Sequence, residues 1–179
     1  MPARRSYLKS ILVAAIAVAV SPFANLVSFF YRTNTETAQR QKIANLKDLT
    51  PGSAIYFSYP KTGDPKIDND PFRQYILVMT LEGELRVYSR VCVHLWCLPT
   101  YLPQKGALIC PCHGSVYRED DGVAVEGPAA YQPYPTNALP MGRIEVDGNG
   151  DIWLVGVEGR VGYGREWKRI PPRDLIRRV

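Results

Sequence analysis

The 179-residue chain reads as an all-β protein, an antiparallel sandwich or barrel preceded by one apolar transmembrane helix. Three observations predict this. Between residues 48 and 164 the sequence breaks into short runs rich in β-branched and aromatic residues, separated by Pro and Gly. Two of those breaks have hairpin-turn composition, Glu82-Gly83-Glu84 and Asp147-Gly148-Asn149-Gly150-Asp151. Ahead of them lies an uncharged stretch, residues 11–31, long enough to cross a bilayer as a helix.

At about 1.5 Å per residue, the 21 residues of that stretch just span a hydrocarbon core of about 30 Å. Pro22 in its middle is tolerated in a membrane helix at the expense of a kink. Arg4, Arg5 and Lys9 precede the span and Arg32 follows it, which orients residues 1–10 to the cytoplasm and sends the rest across. The segment Ala3-Arg4-Arg5-Ser6-Tyr7-Leu8-Lys9 resembles a twin-arginine export signal, with Tyr7 where phenylalanine is usual. Ala17-Val18-Ala19 offers a cleavage site, yet the apolar run continues past it through Phe29, Phe30 and Tyr31, so an uncleaved single-pass anchor is expected. Residues 32–47 turn polar and contain neither Pro nor Gly. They are expected to form a tether or hinge, as a short frayed helix or an extended spacer.

In the globular part, residues 48–164, strands are expected at 54–59, 75–81, 85–91, 107–109, 115–117, 142–146 and 151–157. Residues 60–72, with Pro60, Pro65 and Pro71, read as an irregular insertion. The acidic run Glu119-Asp120-Asp121-Gly122 reads as a solvated turn, and residues 165–179 as a basic tail.

The net charge of +5 is unevenly spread. Residues 1–47 hold seven Lys/Arg against one acid and residues 165–179 six against two, which leaves nine bases against fourteen acids between them. An acidic globular part argues against nucleic acid as a partner.

All four cysteines and both histidines fall in two short loops. The first reads Cys92-Val93-His94-Leu95-Trp96-Cys97 and the second, twelve residues later, Cys110-Pro111-Cys112-His113-Gly114-Ser115. A structural zinc site takes four of the six groups and strands two. Two plain disulfides leave both histidines as bystanders. An iron–sulfur cluster held by two thiolates and two imidazoles takes one Cys/His pair from each loop, and the one cysteine left in each loop could then close a disulfide.

The loops resemble the Rieske [2Fe–2S] boxes C-T-H-L-G-C and C-P-C-H-G-S. The second box matches at all six positions and the first at four, Cys92, His94, Leu95 and Cys97. The resemblance implies one [2Fe–2S] cluster, with Cys92 and Cys110 on one iron and His94 and His113 on the other. It also implies a Cys97–Cys112 disulfide, and hence an oxidising compartment outside the cytoplasm. That extra cysteine pair resembles the quinol-oxidising subclass of the bc1 and b6f complexes. The expected role is therefore an electron-transfer subunit beside a cytochrome b-type subunit in the membrane, contacting quinol through His113 and His94. Its electron would pass to a c-type cytochrome or equivalent acceptor.

Further positions follow from the same resemblance. Ser115 and Tyr117 stand where hydroxyls donate to a cluster sulfur and a cysteine sulfur, bonds that favour the reduced state and raise the potential. Gly127-Pro128-Ala129-Ala130, with Pro133 and Pro135 after it, resembles the proline loop that covers the cluster from a third side. Leu95 and Trp96 fall on the expected docking face. Trp96 replaces a glycine of the family pattern and resists positive φ, so either the loop does not need φ > 0 there or its path differs. The competing expectation is the Rieske small subunit of an arsenite-oxidase-like periplasmic oxidoreductase, fed by a molybdenum subunit.

Overall fold

The computed structural model describes residues 6–16, 18, 39–165 and 176–178. The chain divides into two units, Met1–Glu36 and Thr37–Val179. In the first, residues 6–16 and 18 are helical. The rest of the expected span at 11–31 lies outside the described residues, and among the described residues no helix is long and apolar enough to cross a membrane.

The second unit contains β1 (Gln41–Asn45), β2 (Ala54–Ser58), β3 (Gln74–Met79), β4 (Leu85–Ser89), β5 (Thr100–Leu102), β6 (Ala107–Ile109), β7 (Val116–Arg118), β8 (Ala124–Glu126), β9 (Met141–Val146), β10 (Asp151–Glu158) and β11 (Ile176–Arg178). One sheet runs β1-β10-β9-β4-β3-β2, with β11 paired in parallel to β9. The other is an antiparallel sheet in the order β5-β6-β7-β8. Residues 90–140, which contain that smaller sheet, are inserted in the chain between β4 and β9.

The period of two along β3 divides the interior. Ile76 and Val78 pack with Tyr88, Leu108, Tyr117 and Met141 in the core beneath the cysteine loops. Tyr75 and Leu77 face the other way, into a core with Val87, Ile144, Ile152 and Leu154. Because both faces of β3 are covered, its sequence is a continuous apolar run instead of an alternation.

All seven expected strands form, with ends displaced by at most two residues. Four strands were not expected. β5 and β8 have only three residues each, too few for a periodicity to register, and unlike the equally short β6 and β7 they do not directly abut the second cysteine loop. β1 lies inside the expected tether, so the sheet begins at Gln41 and not at residue 48. Its Ile43 and Ala44 pack on the second core, while Lys42 reaches Asp151 at 2.7 Å and the Arg40 guanidinium lies 4.4 Å from the Trp153 ring centroid. Charged ends on an edge strand explain its polar appearance. β11 likewise lies inside the expected basic tail.

The acidic turn is not merely solvated. Tyr88 donates its hydroxyl to Glu119 O at 2.9 Å, and Arg86 donates Nε–H to Asp120 O at 2.7 Å. The Glu119 carboxylate accepts from Tyr101 OH of β5 and from Leu81 N in the β3–β4 turn. Arg165, expected in the basic tail, is buried and donates to Leu139 O at 3.0 Å and to Asp121 O. The turn therefore ties the two sheets together through its carbonyls, which composition alone cannot reveal.

Within the insertion, Pro65–Asp68 forms one helical turn and Pro71–Arg73 a 3-10 turn. Three carboxyls of this unit are held below their ordinary values: Asp68 mainly by the Thr62 amide, Asp147 mainly by the Trp153 indole, and Asp151 mainly by Lys42. A depressed folded-state value stabilises the fold above the unfolded value of about 3.9 and ceases to do so as pH falls through the folded one. The melting temperature is accordingly expected to drop as pH falls below about 4, and Asp147→Asn to flatten that drop. A melting temperature that holds constant down to about pH 2.5 would contradict this.

Candidate metal centre

The two cysteine loops are copies of one backbone design. In the first, Cys92 N donates to Cys97 O at 2.8 Å and Trp96 N donates back to Cys92 O at 2.9 Å. In the second, Cys110 N donates to Ser115 O at 2.8 Å and Gly114 N to Cys110 O at 3.1 Å. The residue four past the leading cysteine is left-handed in both, with φ of 61° at Trp96 and 73° at Gly114. Against the expectation that this loop does without positive φ, the tryptophan adopts it. Among the described residues it is the only non-glycine that does so, at a strain of about 1–2 kcal/mol.

Cys97 and Cys112 are joined in a disulfide with Cα atoms 6.4 Å apart. Cys92 and Cys110 are free and each is 1% exposed. Burial pushes the Cys110 thiol up, against the pull of the Cys112 amide. The sulfurs of Cys97, Cys110 and Cys112 lie within 4.8 Å of one another, but the disulfide withdraws two of them, so this trio is not a ligand set. The His94 and His113 rings meet edge to face, centroids 4.8 Å apart. His113 is exposed and His94 half-buried.

Nδ1 of His94 is buried and has no hydrogen-bond partner among the described residues. A buried imidazole nitrogen without a partner is rare unless it serves as a ligand or in a reaction. Two buried free thiols, that orphaned nitrogen and a disulfide accounting for the other two sulfurs fit a cluster that takes two thiolates and two imidazoles.

The polar surroundings are defined by which atoms are already used. Tyr117 OH accepts from Val93 N at 3.3 Å, so its own proton is left for Cys92 Sγ at 3.0 Å. Burial, with Cys92 beside it, raises the phenol and keeps that proton in place. Ser115 Oγ is buried and accepts from Ala129 N at 3.2 Å, which leaves its proton for another acceptor.

The expected covering loop packs on both boxes. Gly127 has φ 73° and ψ −173°, a region open essentially to glycine, and a Cβ there would sit 2.7 Å from Ser115 Cα and 2.8 Å from Gly114 O. Pro128–Tyr131 forms a 3-10 turn, after which Gln132 donates Nε2–H to Val93 O at 3.1 Å. Sequence reasoning missed Gln132, whose only signal was a polar side chain in a run of Pro, Ala and Tyr. Leu95 is exposed at the tip of the first loop. Trp96, although 46% exposed, turns one edge toward Gly162 and packs at a tilt against Phe72 and Tyr163.

Matched cysteine–histidine loops on a rigid sheet, with free thiols beneath and imidazoles at the surface, define an iron–sulfur electron carrier. The chain belongs to the Rieske [2Fe–2S] domain family, whose pattern matches residues 40–140. It is 32% identical to the cytochrome b6-f complex iron-sulfur subunit of Chlorobaculum thiosulfatiphilum, over 80% of this chain and 72% of that protein. It is 28% identical to a Rieske subunit assigned to a respiratory nitrate reductase of Haloferax mediterranei, over 90% of this chain and 81% of that one. Among solved structures, a quaternary ammonium Rieske monooxygenase matches with a TM-score of 0.50 at 15% identity, over 66% of this chain and 31% of that one. That match shows the shared fold. The protein is a Rieske electron-transfer protein that binds a [2Fe–2S] cluster, and it is related to the Rieske subunits of bc-type complexes.

Proposed function

We propose that this chain is the Rieske subunit of a membrane quinol:cytochrome c oxidoreductase of the bc type. Residues 11–31 anchor it, residues 1–10 stay in the cytoplasm, residues 32–40 are the tether, and the head works on the outer side. Cys92 and Cys110 hold one iron and His94 and His113 the other. The observation that carries the reading is the pair of imidazoles at the loop tips, one exposed and one half-buried, with rings 4.8 Å apart.

When bound, the cluster accepts and returns one electron, and the charge it gains favours a proton nearby. His113, the more exposed of the two, is the hydrogen-bond partner for a quinol hydroxyl and takes its proton at Nε2, with His94 beside it. Leu95 and Trp96 face the neighbouring cytochrome b-type subunit. Tyr117 and Ser115 donate to sulfur and stabilise the reduced state. The disulfide and the Gly127–Gln132 segment hold the loops and exclude water from the inner side. The electron then leaves to a c-type cytochrome or equivalent acceptor, and the proton to the outside.

The test is a redox titration of the full chain followed by EPR across a range of pH. The midpoint is expected toward the top of the roughly −150 to +300 mV family range, falling as pH rises because reduction takes up a proton. In the same titration Tyr117→Phe is expected to lower the midpoint by roughly 40–90 mV, the equivalent of about 1–2 kcal/mol of hydrogen bonding to the reduced state. A low midpoint independent of pH would remove the quinol-oxidising role. It would favour a second reading, a Rieske subunit of another respiratory oxidoreductase. The Haloferax relative, whose match spans 90% of this chain, supports that reading.

A further inference from the structure

Gly114 and Trp96 hold the same place in their loops, and only one of them suits it. Around Gly114 an added Cβ would meet nothing within 4 Å. Trp96 takes the same left-handed backbone with a bulky side chain, and its indole is held on three sides. Phe72 and Tyr163 pack against it as tilted rings, at centroid distances of 5.9 and 5.8 Å and interplanar angles of 58° and 57°. Its Nε1–H donates to Gly162 O at 3.1 Å.

Both supports are themselves fixed. Phe72 sits in the 3-10 turn capped by Asp70, whose carboxylate accepts from Phe72 N at 2.8 Å. The turn bearing Tyr163 is closed by Arg160 N to Gly164 O at 2.8 Å and Tyr163 N to Arg160 O at 2.9 Å. The Arg160 guanidinium lies 4.3 Å from the Tyr163 ring centroid. Gly162 is shaped to its task, since a Cβ there would stand 2.8 Å from Trp96 Cδ1. These contacts are not core packing, because Phe72, Trp96 and Tyr163 are each at least 40% exposed. They join the insertion, the first cysteine loop and the 160–164 turn at the surface.

We propose that Phe72, Gly162 and Tyr163 are positioning residues which, acting through Trp96, fix the loop that carries His94. The inference rests on His94 being a cluster ligand. Trp96 is two residues from His94, and its strained backbone stays left-handed only while the indole is held. Loosening the indole lets the first loop relax and changes how the imidazole meets its iron, although none of the three residues touches a ligand. The second loop, built on glycine, has no such dependence.

The test uses the full chain with its cluster bound and reads the midpoint potential, the EPR g-values and the fluorescence of Trp96, with Trp153→Phe and Trp167→Phe as a common background. Phe72→Ala and Tyr163→Ala are expected to shift the potential and the g-values while iron content stays at the parent level. Tyr163→Phe, which keeps the ring, is expected to match the parent. In a Trp96→Gly chain, the Phe72 and Tyr163 substitutions are expected to have no further effect. Phe72→Leu and Tyr163→Leu take over if an alanine variant loses iron. Potential and g-values unchanged by both ring deletions overturn the inference, as does an equal shift in the Trp96→Gly chain. A parent protein without the signature of mixed cysteine and histidine ligation overturns the ligand reading first and this inference with it.

Discussion

Cys110→Ala is expected to yield protein without a [2Fe–2S] cluster: no EPR signal, no bound sulfide and residual iron near zero. Cys92 and Cys110 are the only two thiols outside the disulfide, and each is buried in the core with Leu108 and Tyr117. With the proposed ligand set, removing one leaves a single thiolate for an iron that needs two, and no other cysteine can substitute. Because metal binding contributes to folding, the variant should also melt earlier than the loaded parent.

The double variant Cys97→Ala/Cys112→Ala separates the ligands from the staple. It keeps both free thiols and both imidazoles but opens a link of sequence separation 15, for which chain entropy assigns about 3 kcal/mol. Cluster assembly is expected to survive at low temperature in that variant, with stability reduced by about that amount. A Cys110→Ala protein that retains full iron and a rhombic signal would refute the ligand assignment.

The second large effect is expected from Gly127→Ala. Two terms add there. An L-residue at φ 73° and ψ −173° is strained by about 1–3 kcal/mol, and the new methyl would overlap the backbone of Gly114 and Ser115 at 2.7–2.8 Å, where overpacking adds about 1–3 kcal/mol. Backbone cannot step aside as a side-chain tip would, so the covering loop must lift from the second box. A loss of about 2–6 kcal/mol in chemical denaturation is expected, together with poor cluster retention. Gly83→Ala is the control. Gly83 also has a positive φ, of 83°, but an added Cβ meets nothing within 4 Å, so only the strain of about 1–2 kcal/mol remains. Equal losses in the two variants would mean that the close approach of Gly127 contributes nothing.

Apart from β6 and β7, three-residue strands that directly abut the second cysteine loop, the strands that the sequence revealed are those with enough residues to express a period and with both ends marked by turns. β3 and β4 with Glu82-Gly83-Glu84 between them are the clearest case. β5 and β8 are too short for that, while β1 and β11 carry basic residues that read as linker and tail. The six metal-loop side chains were legible because every cysteine and histidine in the chain falls there. The left-handed backbone of Trp96 was not legible. Phe72 and Gly162 meet its indole only through the fold, and no local pattern announces that. Arg86, Tyr88 and Arg165 bonding to carbonyls of the 119–121 turn belong to the same class, since backbone acceptors leave no mark in composition.

The insertion of residues 90–140 between β4 and β9 has a mechanical consequence. Tension entering the head at residue 39 falls first on β1, an edge strand whose sheet neighbour among the described residues is β10. The smaller sheet with its two cysteine loops hangs off the load path as a closed side branch, fastened by the disulfide and by the 119–121 turn. Pulled from its N-terminal end, the head would therefore peel first at β1, away from β10, while the metal loops still bore no force. Peeling of this kind is an opening confined to one edge, of lower free energy than global unfolding.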